Sequence, residues 1–394
     1  MNKIRYFDHA ATTAVREEVL KEMFPYFSIE FGNASSIYSI GRSARKAKED
    51  ARQKVAKALN CSFNEIYFTS CGSESDNLAI KGIAYANRDK GNHIITSKIE
   101  HPAVLNTCRA LEKEGFVVTY LDVDKDGLIS IEELKNHITE GTILITIMFA
   151  NNEIGTIEPI EEIGNIAKAN NIIFHTDAVQ AVGNVKIDVK KLNIDALSMS
   201  AHKFYGPKGV GALYVSNKVS FKKIQDGGHQ ERDKRAGTEN ISGIVGLGKA
   251  IEIAENNLNE YNRELINNRD YLIKEIEKNI QNIKINGHRS FRLPGNVNVS
   301  FNNIDGGDLL LKLDTKGICA SAGSACSSGS STPSHVLTAI GLPSNLVKGT
   351  LRITLGFENT KEDIDYLLNN LIESVKILRQ NTIKVWDFLT LLIF

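Results

Sequence analysis

In the segment SMSAHKFYGPKGVGALYV, residues 198–215, a lysine follows a β-like run and precedes a Gly/Pro-rich turn, with Ser200 and His202 beside it. Held at a strand end, the amine of Lys203 could form a Schiff base and later shuttle a proton, the two tasks of a pyridoxal-phosphate lysine. Alone it would say little, because most lysines are solvated. A carboxylate strengthens the case. IIFHTDAVQAVG (172–183) ends another β-like run on Asp177, and an anion against a pyridine nitrogen keeps that ring protonated and electron-attracting. Gln180, three residues on, could donate to the ring's phenolic oxygen. The plain alternative for Asp177 is a helix N-cap, and its pairing with Lys203 tells against that. In FTSCGSESDNLAIKG (68–82), Gly72 and Ser73 open a helix after a strand. The unpaired N–H groups and positive end of that helix suit a phosphate, although a simple capped helix start would look the same. His101, in KIEHPAVL, follows another strand and could stack on a pyridine and pass protons. Asn152 sits likewise after ILITIMFA.

These residues need a scaffold that brings strand ends together. NEIYFTS (64–70), HIITS (93–97), VVTYLDV (117–123), ILITIMFA (143–150), IIFHTDA (172–178), ALSMSA (196–201) and GALYVS (211–216) read as strands, with helix-like stretches such as ESDNLAIKGIAYANRD and IEEIGNIAKAN between them. Alternating strands and helices imply an α/β fold with a mainly parallel central sheet flanked by helices. Such sheets place ligands at the carboxyl ends of their strands. From residue 251 the pattern IEIAENNLNEYNRELINNRDYLIKEIEKNI is one long amphipathic helix containing a boundary. The expected division is a large domain over 15–255 and a smaller α+β domain from 1–14 and 256–394. SSGSSTPS (327–334) is the most flexible composition in the chain, and a mobile loop is expected near 325–333.

Composition narrows the function. At 394 residues the chain exceeds one compact domain. Lys+Arg and Asp+Glu balance at 47 each, which favours neither nucleic acid nor an anionic membrane as a bulk partner. The cysteines Cys61, Cys71, Cys108, Cys319 and Cys326 are scattered, without a C-x-x-C pair, so neither a disulfide framework nor a structural zinc site is suggested. MNKIRYFDHAATT lacks the apolar core of a signal peptide, and no apolar run approaches a bilayer span, so a cytoplasmic location is expected. The apolar VWDFLTLLIF at the C-terminus is too short to span and reads as a docking segment or a terminal extension. A nucleotide P-loop is absent, and GLGKAI (246–251) does not complete G-x-G-x-x-G.

Taken in order, YFDHAATT, CGSESDN, EHPAVL, NNEIG, HTDAVQ, AHKFYGPKG, RAGTEN, GSACSSG and LRITLG resemble the motif series of cysteine desulfurases of the NifS/IscS type, within the class V aminotransferases and fold type I of the pyridoxal-phosphate enzymes. The resemblance runs over about residues 4–375. It implies a homodimer acting on L-cysteine and passing sulfur to an iron–sulfur scaffold or another acceptor protein. Lys203 would carry the cofactor and take the substrate's Cα proton. Asp177 would pair the ring nitrogen, with His101 stacked on the ring and Gln180 on its oxygen. Gly72, Ser73, Ser200 and His202 would hold the phosphate, with Thr238 coming from the partner subunit. Asn152 and Arg352 would hold the substrate carboxylate, a task suited to the planar guanidinium fork. Cys326, in ICASAGSACSSGSSTPSHVL, would attack the substrate sulfur and keep it as a persulfide. No stable metal site is expected, Cys326 serving at most as a transient iron–sulfur ligand. The long interval between Cys326 and Arg352 is similar to the long-loop branch of the family.

Rival readings stay open at this point. A class V aminotransferase has no need of Cys326, and a selenocysteine lyase need not have the long loop. A different class is suggested by DVDKDGLISIEE (122–133), which satisfies the EF-hand pattern D-x-D-x-D-G-x5-E of a calcium-binding module. An EF-hand needs a helix on both sides. VVTYLDV before it reads as a strand, so a strand–turn–helix with Gly127 in the turn is the alternative.

Overall fold

In the computed structural model the described residues are 3–322 and 333–393, with side chains described to residue 380. Seven strands form the central sheet: β1 (Ile66–Thr69), β2 (His93–Ser97), β3 (Val117–Leu121), β4 (Thr142–Thr146), β5 (Ile173–Asp177), β6 (Ala196–Ser200) and β7 (Gly211–Val215). Their order is β1-β7-β6-β5-β4-β2-β3. Every neighbouring pair is parallel except those made by β7, which runs antiparallel to β6 and to β1. Strands β1, β2, β4, β6 and β7 are buried along their whole length. Burial on both faces explains why they read as apolar runs rather than as alternating ones.

Helices cover both faces. The segments α1 (Ser39–Leu59), α2 (Gly72–Ala86), α3 (Pro102–Lys113) and α4 (Ile160–Ala169) each bury one stripe of small and branched apolar residues. The long helix α5 (Ile241–Asn279) begins ten residues before the sequence pattern places it, because Asn240 caps it through Gly243 N–H. Gly243, Gly246 and Gly248 hide the amphipathic period there. At Gly248 a Cβ would meet Ala51 at 2.7 Å, so the glycine lets α5 lie directly on α1. Residues of α5 up to Ile251 join the core of the central sheet, whereas Leu265, Leu272, Ile273 and Ile276 join a second core.

That second core lies under a four-stranded antiparallel sheet made of β8 (Ile283–Asn286), β9 (Asn296–Phe301), β10 (Ser321–Ala322) and β11 (Thr350–Thr354), in the order β10-β11-β9-β8. It also takes Phe7 from the N-terminus, Leu309 and Leu313 from α6 (Gly306–Asp314), and Leu367 and Leu371 from α7 (Lys361–Ile393). The backbone of α7 runs through the apolar C-terminal segment. Among the described residues no helix is long and apolar enough to cross a membrane.

The acidic loop at 122–133 is a strand–turn–helix. It is entered from β3, bridged by Val123 and Ile129, turned at Gly127 with φ +84°, and left through a short helix over Ile131–His137. Asp124 spends its Oδ1 on the N–H groups of Asp126 and Leu128, and Asp122 pairs with Lys98. Among the described residues none from this loop joins a group of three metal-competent side chains.

Candidate active site

In the central sheet, β1, β2, β4, β5 and β6 all point their carboxyl ends to one side. The chain segments leaving those ends line a cavity of about 350 Å³. Gly72 and Ser73 follow β1, His101 follows β2, Asn152 follows β4, Asp177 ends β5, Ser200 ends β6, and Lys203 and His202 follow at once. Gln180 completes this wall, and Arg352 enters from β11 of the second sheet. Ten of the twelve residues singled out in the sequence therefore meet around one cavity. Thr238 is exposed and does not line it. Cys326, and the loop expected at 325–333 up to residue 332, lie outside the described residues.

The N-terminal segment supplies backbone to the site. Lys203 Nζ donates to the carbonyls of Ala10 and Ala11 at 2.6 and 2.8 Å, and Gln180 Nε2 donates to Ala10 at 3.0 Å. Arg352 donates from Nη2 to Asp8 Oδ1 at 2.8 Å and from Nη1 to the Asn152 carbonyl at 3.0 Å. Its Nε is buried without a partner among the described residues. The guanidinium is thus fixed by two of its five N–H donors, which leaves the others for a ligand. The motif YFDHAATT was visible as part of a series, but backbone carbonyls carry no side-chain signature. Nothing in the sequence assigned Asp8, Ala10 or Ala11 a place in the site.

Polar groups at one end of the cavity match a phosphate. Cys71 precedes α2 in an extended conformation and offers no side-chain cap, so the first-turn N–H groups are left for another acceptor. Ser200 Oγ is buried and has no hydrogen-bond partner. A Cβ at Gly72 would strike Val179 Cγ2 at 2.5 Å, so only glycine keeps this turn in place. The His202 imidazole, beside the Thr12 hydroxyl at 3.1 Å, is pushed down to about 4 by burial and by Lys203 and Lys208. It is neutral at physiological pH.

Toward the middle of the cavity the charges are held differently. Asp177 is fully buried and accepts from Val179 N–H at 2.9 Å. Burial raises its pKa above the usual aspartate value, against the pull of His101, the Val179 N–H and Lys203. The His101 imidazole is lowered by burial. Its Nδ1 accepts from Ala103 N–H at 3.1 Å, which places the ring proton on Nε2. Asp76 and Cys71 also line the cavity. The sequence reading passed over both, although an aspartate three residues beyond Ser73, ahead of the apolar LAIKGIAYA, was a visible signal in CGSESDNLAI. Two carboxylates, an amine and a fixed guanidinium around a cavity with a phosphate-like end fit a phosphorylated pyridine aldehyde and an amino acid.

Comparison with known proteins agrees with this chemistry. The aminotransferase class-V family model matches residues 5–367. A cysteine desulfurase IscS of Clostridium botulinum is 60% identical over 98% of both chains. Among solved structures, a NifS-like protein superimposes with a TM-score of 0.90 at 39% identity, covering 95% of this chain and all of its own. A structure described as SspA in complex with cysteine superimposes with a TM-score of 0.77 at 41% identity, over 89% of this chain and 98% of that one. The chain belongs to the class-V aminotransferase family, whose members depend on pyridoxal phosphate, and within it to the cysteine desulfurases.

Proposed function

We propose that this cavity, loaded with pyridoxal phosphate, converts L-cysteine to L-alanine and leaves the sulfur as a persulfide on Cys326. The observation that carries the reading is the convergence of Lys203, Asp177, His101, Ser200 and Arg352 on one cavity at the carboxyl ends of the strands. Relatives named for cysteine desulfuration, and a neighbour described with cysteine bound, support it.

Pyridoxal phosphate supplies an electron sink that makes the Cα–H of a bound amino acid acidic. Lys203 would hold the cofactor, and its Nζ would take the Cα proton. Asp177 would balance a protonated ring nitrogen, Gln180 would donate to the phenolic oxygen, and His101 would stack on the ring. Gly72, Ser73, Ser200 and His202 would hold the phosphate, with Thr238 of the partner subunit completing the site in a homodimer. Arg352 and Asn152 receive the substrate carboxylate. Cys326 attacks the substrate sulfur as a thiolate, the new S–S bond forms as the Cβ–S bond breaks, the electron pair left to the substrate is used to bind a proton at Cβ, and alanine leaves. The sulfur then passes to an iron–sulfur scaffold or another acceptor protein in the cytoplasm. The division of labour we propose is a large domain over 15–255 that holds the cofactor and a smaller one, 1–14 with 256–394, that brings Arg352 and Cys326 to it.

Incubation with L-cysteine, followed by alanine assay and mass spectrometry of trapped cysteines, tests the proposal. The expected result is stoichiometric extra sulfur on the Cys326 peptide together with alanine. Alanine formation without sulfur on Cys326, or sulfur found only on another cysteine, overturns it.

A further inference from the structure

Asp76 is an acid that the proposed reaction does not use. It lies in the second turn of α2, is 1% exposed, and lines the cavity. Its Oδ1 has no hydrogen-bond partner among the described residues. Side-chain atoms of Asp76, His101 and Asp177 all lie within 4.8 Å of one another, so two carboxylates share one dry corner of the site. The groups facing Asp76 come from every element around it: Asp177 and His175 from β5, Ser198 from β6, Glu100 and His101 from the turn before α3, and Cys71 from the start of its own helix.

None of these supplies Asp76 with a compensating cation. His175 Nε2 is the nearest basic atom, at 3.8 Å from Asp76 Oδ1. That ring is completely buried between the hydroxyls of Thr146 and Ser198, at 2.8 and 3.0 Å, and burial pushes it down to about 3, so it is neutral. Asp177 is better provided, with the Val179 N–H, His101 and Lys203 all favouring its charge. Two carboxylates this close in a dry site do not both ionise, and the proton goes to the one with fewer donors. Burial and the neighbouring Asp177 together push Asp76 well above the carboxylate range.

We infer that Asp76 is a positioning residue that stays protonated beside Asp177, so that Asp177 is the single anion offered to the cofactor nitrogen. The inference rests on the proposed placing of Asp177 against that nitrogen. Its consequence is that the neutral isostere Asp76→Asn should substitute for the native residue, whereas Asp76→Ala should not.

Two measurements on the full chain decide this. In the first, thermal unfolding of the cofactor-free protein is followed from pH 5 to 8. A buried acid held protonated in the fold contributes stability at low pH that is lost as pH rises through its folded pKa. Asp76→Asn should therefore lose less stability than the parent across this range, and an unchanged slope overturns the inference. In the second, pyridoxal phosphate is titrated into cofactor-free parent and variants by absorbance. Asp76→Asn should bind close to the parent, and Asp76→Ala roughly tenfold more weakly, as expected for losing a buried polar neighbour of a charged group. Equal weakening in both variants means that Asp76 acts as an anion, and no weakening in either means that it does not act on Asp177. Each result refutes the inference. If the parent itself takes up no cofactor, the reading of the pocket fails instead, and the first measurement still reads the proton on Asp76.

Discussion

Two buried charged regions of this chain follow opposite designs. In the first, Glu231 and Arg52 are each 1% exposed in the side chain, and they meet as an ion pair that Glu49 joins from the Arg52 side. Glu231 takes both Nη1 and Nη2 of Arg52 at 2.7 and 2.8 Å and also accepts Phe68 N–H at 2.8 Å. Burial would raise the Glu231 pKa, but Arg52 and the Phe68 N–H hold it below the usual value. This pair holds a strained turn in which Glu231, Arg232 and Asp233 have φ of 46°, 57° and 61°, three successive left-handed residues without a glycine. The cavity has the opposite arrangement. Asp76 Oδ1, Ser200 Oγ and Arg352 Nε are all buried without partners among the described residues. An isolated fold gains nothing from orphaned polar atoms, and here Ser200 Oγ and Arg352 Nε are left for a ligand while Asp76 stands beside Asp177. The first region spends its charges on stability, and the second withholds them for chemistry.

This contrast can be broken most strongly at Lys203. Lys203→Ala should lower desulfuration by roughly a thousandfold or more, and borohydride treatment of the loaded parent should label the Lys203 peptide alone. Label on another lysine would refute the assignment. Nearly as large is Cys326→Ser, which should abolish alanine and sulfide release while the absorbance change on adding cysteine persists. Cys319→Ser should be close to neutral, because Cys319 sits in a two-residue strand paired with Tyr6. Alanine production at the parent rate by Cys326→Ser would make the protein a different kind of pyridoxal-phosphate lyase.

The two regions then separate under isosteric amide substitution. Glu231→Gln removes the buried carboxylate partner of Arg52 and leaves it only the more exposed Glu49, and should destabilise the fold by ~3 kcal/mol in denaturant titration. Asp177→Asn removes a charge that burial already disfavours. It should leave the cofactor-free protein at least as stable at pH 8, yet lower turnover roughly a hundredfold or more. Equal destabilisation by both variants would erase the distinction.

Smaller effects are expected from pH. Burial pushes Glu153 up to about 7 and Glu100 up to about 8, so the fold holds protons that the unfolded chain releases. Their stability contribution is complete below the unfolded carboxylate pKa and is lost as pH rises toward 8. His175, lowered to about 3, works the other way: the unfolded imidazole binds a proton below about 6.5, so stability falls as pH drops from there toward 3. Thermal melts of the cofactor-free protein should decline on both sides of the weakly acidic range, and a flat profile would contradict these burials. The smallest effect should come from calcium, which should move the melting temperature by no more than about 1 °C. A larger shift would revive the 122–133 loop as a binding module.

Local chemistry was enough to locate most of the site. Lys203, Asp177, His101 and Asn152 each end or follow a β-like run, and a parallel sheet gathers such ends on one side, so their meeting was legible from the order of elements. The EF-hand pattern was also judged from its neighbours, since a strand enters where a helix is needed. Three other features depended on contacts between distant parts of the chain. The Ala10 and Ala11 carbonyls reach Lys203 across more than 190 positions, and Asp8 reaches Arg352 across 344. The start of α5 was hidden because Gly246 and Gly248 are chosen for close contact with Met23, with Pro207 and with Ala51 of α1 rather than for helical period. Residue types and spacing thus determined the place of Lys203 after a strand end and the α/β scaffold, because both follow from local pattern. Which acid keeps its proton, which donors stay orphaned and which buried charges are paired were decided only in the tertiary structure, because desolvation and Coulomb energy depend on distances that the chain does not encode locally.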